Sequence, residues 1–96
     1  MRLDEIAEIN EKALVINGFD EAILYMIERI GSEPVVLYDS DKIIQSLMKD
    51  MDVSVDDLSD DETIEDKKYE MALEYFEFNI KGAWVGENTP FFTVIR

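Results

Sequence analysis

The chain contains neither cysteine nor histidine. Without thiols it can form no disulfide, thiolate metal site or cysteine nucleophile. Without imidazole it lacks the commonest general base near neutral pH and the commonest zinc ligand. Bases are scarce as well, since nine Lys and Arg face 23 Asp and Glu for a formal charge of −14. A field of that sign repels phosphate backbones, and the few cations form no stripe, so direct nucleic-acid binding is disfavoured. No apolar run approaches the roughly 20 residues of a membrane span. The opening MRLDEIAEINEK has no run of signal-peptide length either, so the expectation is a soluble, cytoplasmic protein with no membrane partner. What remains is 96 residues, 47% of them hydrophobic, enough for one modest core and one domain.

The negative charge is concentrated. Residues 1–49 carry ten acids against five bases, residues 50–66 carry nine acids and no base, and residues 67–96 balance at four and four. Around that acidic segment the apolar residues fall into periodic groups. Leu3, Ile6, Ala7 and Asn10 share one side of a short helix whose acids suit its N-terminal half. Ala13–Ile16 reads as a buried strand closed by the turn signal Asn17-Gly18. Asp20 is placed to cap a helix over Glu21–Ile30, with Ile23, Met26, Ile27 and Ile30 as its core stripe and Gly31 as its stop. Pro34 introduces a second buried strand, Val35–Tyr38. Asp39 or Ser40 then caps a helix with Ile43, Ile44, Leu47, Met48 and Met51 at helical spacing.

Between about residues 52 and 66 the pattern gives way to an acidic loop insertion. There Ser59 and Glu62 have capping-box spacing for a helix starting near Asp60. A helix over about Thr63–Ile80 follows, with Tyr69, Ala72, Leu73, Phe76 and Ile80 on one face and Met71, Tyr75 and Phe78 on another. A last strand, Phe91–Ile95, closes the chain. Three short strands and about four helices in mixed order predict an α+β domain with a small sheet. Its core is expected around Ile23, Ile27, Ile44, Leu47, Leu73, Phe76 and Ile80.

Seven of the ten aromatics lie in the last 28 residues, most of them in EYFEFNIKGAWVGENTP, Glu74–Pro90. That run, with GFDEAI (Gly18–Ile23) and PVVLYDSDKII (Pro34–Ile44), resembles a family of small, functionally uncharacterised proteins from bacteriophage and bacterial genomes. The resemblance implies a phage-associated α+β protein and supplies no activity and no catalytic residue. Family members pass from the LM-containing helix to the EYFEFN helix through a short linker. The resemblance therefore implies that the acidic stretch 52–66 is an elaboration of this chain.

Several carboxylate groups invite a chemical reading. Asp50, Asp52, Ser54 and Asp56 alternate like the first half of a calcium loop, but Val55 stands where the sharp turn needs glycine and the twelfth position is Asp61. Asp39 and Asp41 follow a strand and open a helix, a place where carboxylates can hold magnesium. No nucleophile, glycine-rich phosphate loop or basic clamp accompanies them, so helix capping explains them better. Only lysine remains as a base for a serine nucleophile, and no suggestive Ser/Lys spacing occurs. Acidic runs can imitate nucleic acid, yet a mimic spreads its carboxylates along an ordered surface, whereas this run lies in an expected loop.

Trp84, between Gly82 and Gly86, either plugs the core or anchors an interface, where Trp and Tyr are enriched. A helix apolar over most of its circumference is buried on more than one side. Met71, Tyr75, Phe78 and Trp84 are therefore the candidate interface of a homodimer. Asp56, Asp57, Asp60, Asp61 and Glu62 are the candidate steering charges toward a host protein with a basic surface. The reading is a phage-associated accessory protein without enzymatic activity, metal or cofactor, acting by protein binding, in one form as an inhibitor of host defence or transcription. Its alternative is a divalent-cation protein or a carboxylate-dependent enzyme.

Overall fold

The computed structural model describes residues 1–83 and 86–95. Its elements are α1 (Leu3–Ile9), β1 (Ile23–Ile27), β2 (Val35–Tyr38), α2 (Ser40–Lys49), α3 (Ile64–Tyr75) and β3 (Phe91–Phe92), with short 3₁₀ turns between them. They form an α+β fold with a three-stranded mixed sheet of order β1-β2-β3. Two compact units are built from this chain, one from Met1–Ile43 with the C-terminal segment and the other from Ile44–Ala83.

In the first unit β2 is the middle strand, antiparallel to β1 and parallel to β3. Its unbroken apolar run suits a position flanked on both sides, and Val35, Val36 and Tyr38 are buried. A parallel neighbour cannot be reached by a hairpin, and here the whole stretch from α2 through α3 separates β2 from β3. Tyr38 stacks on Phe92 with ring centroids 5.9 Å apart. Its phenol oxygen accepts the Ile16 N–H at 2.7 Å.

Three sequence expectations are corrected in this unit. The helix over Glu21–Ile30 is a 3₁₀ turn, Asp20–Ala22, followed by strand β1. Ile23, Met26, Ile27 and Ile30 have helical spacing, but ILYMI is also a five-residue apolar run rich in strand formers, and pairing with β2 decides between the periods. Ile30 is fully exposed, the opposite of a core-stripe position. Leu24 is the extra residue of a bulge between the Ile23–Tyr38 and Tyr25–Leu37 pairs. Gly31, with φ +84°, turns the β1–β2 connection instead of ending a helix.

The strand expected at Ala13–Ile16 joins no ladder. Its backbone is bonded by other means, the Leu14 N–H to the Asn88 carbonyl at 3.1 Å and the Ile16 N–H to Tyr38. The final strand is shorter than Phe91–Ile95. The Thr93 N–H still reaches the Tyr38 carbonyl at 3.0 Å, but the Thr93 side chain and carbonyl are taken by Ser40, and Val94 is exposed.

α1 buries Ile6 and the residue just past its end, Asn10, while Leu3 and Ala7 stay exposed. The Asn10 amide donates to the Pro34 carbonyl at 2.9 Å and to Asn88 Oδ1 at 3.0 Å, and its own Oδ1 accepts the Lys12 N–H at 3.1 Å. One polar side chain thereby holds three separated segments. At the start of α2 the cap is Asp39, whose Oδ1 accepts the Asp41 and Lys42 N–H groups. Ser40 is fully buried and donates its hydroxyl to the Thr93 carbonyl at 2.6 Å.

In the second unit Ile44, Met48, Ala72, Phe76 and Ile80 are buried. Leu47 and Leu73, expected in the core, are half-buried, as is Ile27 in the first unit. Thr63 and Asp66 form the capping box of α3, with the Thr63 hydroxyl accepting the Asp66 N–H at 3.1 Å. Ser59 and Glu62 make only half of the box expected there. The Glu62 carboxylate accepts the Ser59 N–H at 3.2 Å across a turn, and no helix begins at Asp60. After Tyr75 the helix widens into a π-helical turn, Phe76–Ile80. Ala72, Phe76 and Ile80 are spaced by four, and the wider turn keeps Ile80 from drifting off the buried side.

Candidate functional site

Two features sit outside the core of the second unit, and both come from the sequence candidates. The first is the outward face of α3 and its π turn. Met71 is 38% exposed, Tyr75 47% and Phe78 75%, and Ile64, which sequence reasoning left out of the face, is 38% exposed. These residues follow one another at spacings of seven, four and three, with Lys68 filling the remaining position four after Ile64. From Ile64 to Tyr75, within α3, that is the 4-3 alternation of a helical contact seam, and Phe78 follows it in the π turn. The missing signal was available as this heptad spacing, which a search for core residues at helical period does not separate from the buried face. Glu70, Glu74 and Glu77 are exposed on the same helix, and Glu77 pairs with Lys81 at 3.8 Å. Trp84, the fourth interface candidate, lies outside the described residues.

The second feature is the acidic segment. A single 3₁₀ turn, Val55–Asp57, is capped by Ser54, whose hydroxyl accepts the Asp56 N–H at 3.3 Å. Val53 and Leu58 are half-buried, and no residue from 50 to 66 is buried. Asp56, Asp57, Asp60 and Asp61 are exposed and Glu62 is half-buried. Among the described residues the ion pairs are Arg2–Asp4 and Glu77–Lys81, so these carboxylates face water without a cationic partner.

The cation-site candidates are not assembled by the fold. Among the described residues no group of three or more acids converges in a way that would hold a metal ion. Asp39 is engaged as a cap, and Asp41 is exposed in the first turn of α2. A cavity of about 30 Å³ in the first unit, between Ile27, Val35, Thr89 and Phe91, is roomy enough for a single water. The Thr89 hydroxyl is buried there without a hydrogen-bond partner, and the Arg29 guanidinium lies 5.6 Å from the Phe91 ring centroid. Two open depressions lie at residues 7–12 with Glu33 and at residues 28–32. The pKa of Tyr38 is displaced upward. Burial pushes its phenol above the ordinary 10.0, the Ile16 N–H pulls it back, and the nearby Asp20 charge adds to the rise. It is part of the core and has no access to a substrate.

Among the described residues no helix is long and apolar enough to cross a membrane. No protein-family model, curated protein or solved structure matches the chain.

Proposed function

We propose that this chain is a non-enzymatic protein-binding accessory protein, with the outward face of α3 as its contact surface and the acidic segment as the feature that selects its partner. The observation that carries the reading is the exposure of Met71, Tyr75 and Phe78 along one helical face. Aromatic side chains cost free energy to keep in water, and Tyr is among the residues that dominate protein interfaces. The segment at 50–66 adds a field that accelerates encounter with a basic surface and repels acidic ones. Following the family resemblance, the partner is a protein of the bacterial host, the compartment is the host cytoplasm, and the effect is inhibition of defence or transcription machinery. Occupation of a nucleic-acid groove by the acidic segment is one way to achieve it. Self-association as a homodimer belongs to the same reading.

The test is capture of host proteins from bacterial lysate by the wild type, by Phe78→Glu, and by a variant neutralised at Asp56, Asp57, Asp60, Asp61 and Glu62. A specific partner should be retained at low salt, released as salt rises, and lost or weakened in the neutralised variant. Capture that ignores salt and both variants would refute the assignment.

A further inference from the structure

The outward face of α3 has a charge pattern that answers what covers it. Resting on the reading that this face is a contact surface, we infer that its occupant is a second copy of the chain, with the two α3 helices packed antiparallel about a two-fold axis. Over α3 the 4-3 spacing places Ile64, Lys68, Met71 and Tyr75 on the seam and Lys67 and Glu74 along one flank. In an antiparallel pair, seam residues meet in layers and this flank faces its own copy.

Setting Ile64 against the second copy's Tyr75, and Lys68 against its Met71, brings Lys67 beside Glu74 twice by symmetry. Shifting the helices by one layer sets Met71 against Tyr75. It also places Glu74 against Glu74, a repulsive contact. A parallel pair stacks Lys68 on Lys68 in the seam. Among these arrangements, the self-complementary one is the first.

The contact has to form against the mutual repulsion of two chains of formal charge −14. Salt screens that repulsion over a Debye length of about 8 Å at physiological strength, while the seam itself is apolar. Self-association should therefore strengthen as salt is raised, the reverse of the dependence expected for a basic partner. Because the helix offers few seam layers, the dissociation constant should be on the order of micromolar, within the range of small transient interfaces.

The chain lacks cysteine, so single cysteines report the register. Ile64→Cys and Tyr75→Cys proteins, mixed and mildly oxidised, should cross-link to each other and not to themselves. Within one chain the two positions lie roughly 16 Å apart along the helix, too far to bridge. Gln45→Cys, exposed on α2, serves as a control that should remain unlinked. Lys67→Glu and Glu74→Lys should each weaken self-association about three- to tenfold, and the double variant should recover most of it.

Sedimentation of the wild type showing only monomer at about 100 μM, well above that dissociation constant, would overturn the inference. A dimer in which Ile64→Cys links to itself would also overturn it, as would a dimer in which neither seam cysteine links. Lysate capture is scored separately. A monomer that still captures a basic partner removes the dimer and leaves the protein-binding reading in place, whereas a dimer with no partner does the reverse.

Discussion

At the residue scale, buried polar side chains define the first unit as sharply as its apolar ones do. Tyr38 is fully buried and its hydroxyl satisfies the Ile16 N–H. Tyr38→Phe keeps the ring but leaves that N–H unpaired, so it should lower stability by about 1–3 kcal/mol in denaturant melts. It should also remove a pH effect. A phenol whose pKa is raised by folding binds its proton more tightly in the native state. Its contribution is complete below the unfolded value of 10.0 and is lost as pH rises through the higher folded value. The wild type should therefore lose stability above about pH 10 more steeply than Tyr38→Phe, measured as the difference between the two melts across that range. Asn10→Ala deletes bonds to Pro34, Asn88 and Lys12 at once and should cost about 2–3 kcal/mol. The helical period put Asn10 on the apolar side with Ile6, but it could not show the hydrogen bonds that Asn10 makes, because Pro34 and Asn88 are remote in sequence.

At the element scale, α3 shows how a local signal can be legible and still misplaced. Ser59 and Glu62 have the spacing of a capping box, yet the side chain that caps is Thr63. Thr63→Ala should cost about 1 kcal/mol of stability and fray the first turn, seen as lost helical circular dichroism. Ser59→Ala should change stability by less than about 0.5 kcal/mol, since its hydrogen bonds to Glu62 are made by its backbone N–H and carbonyl. The strand β1 departs from its helical spacing for a related reason. Five apolar residues fit a helical stripe and a buried strand equally, and the choice is made by hydrogen bonds to β2. Gly31 then acquires a different duty, and Gly31→Ala should cost roughly 1 kcal/mol through its positive φ, although open space surrounds the added methyl.

At the scale of the whole molecule, the charge is concentrated in a segment that contributes no buried residue. Replacing residues 52–62 with a short neutral linker, while keeping Thr63 as the cap, should preserve or slightly raise the melting temperature. It removes mutually repelling carboxylates at little cost in loop closure. Unfolding of that variant would show the segment to be structural. The α+β class, β2, α2, the extent of α3 and the exposed position of the acidic segment were all legible in the amino-acid order. The helices rest on runs long enough to fix the period, β2 on β-branched residues bounded by Pro34 and the cap of α2, and the acidic segment on charge too dense to bury. The same sequence also marked Met71, Tyr75 and Phe78 as a second apolar face. Only the tertiary structure decided that Ile23–Ile27 is a strand, that Ala13–Ile16 is tied down by a carbonyl and a phenol, that β3 stops at Phe92, that Ser40 is buried, and which groups Asn10 and Tyr38 bond. Those outcomes depend on which distant backbone group satisfies a given N–H or C=O, and the hydrophobic period of a short segment carries no information about that partner.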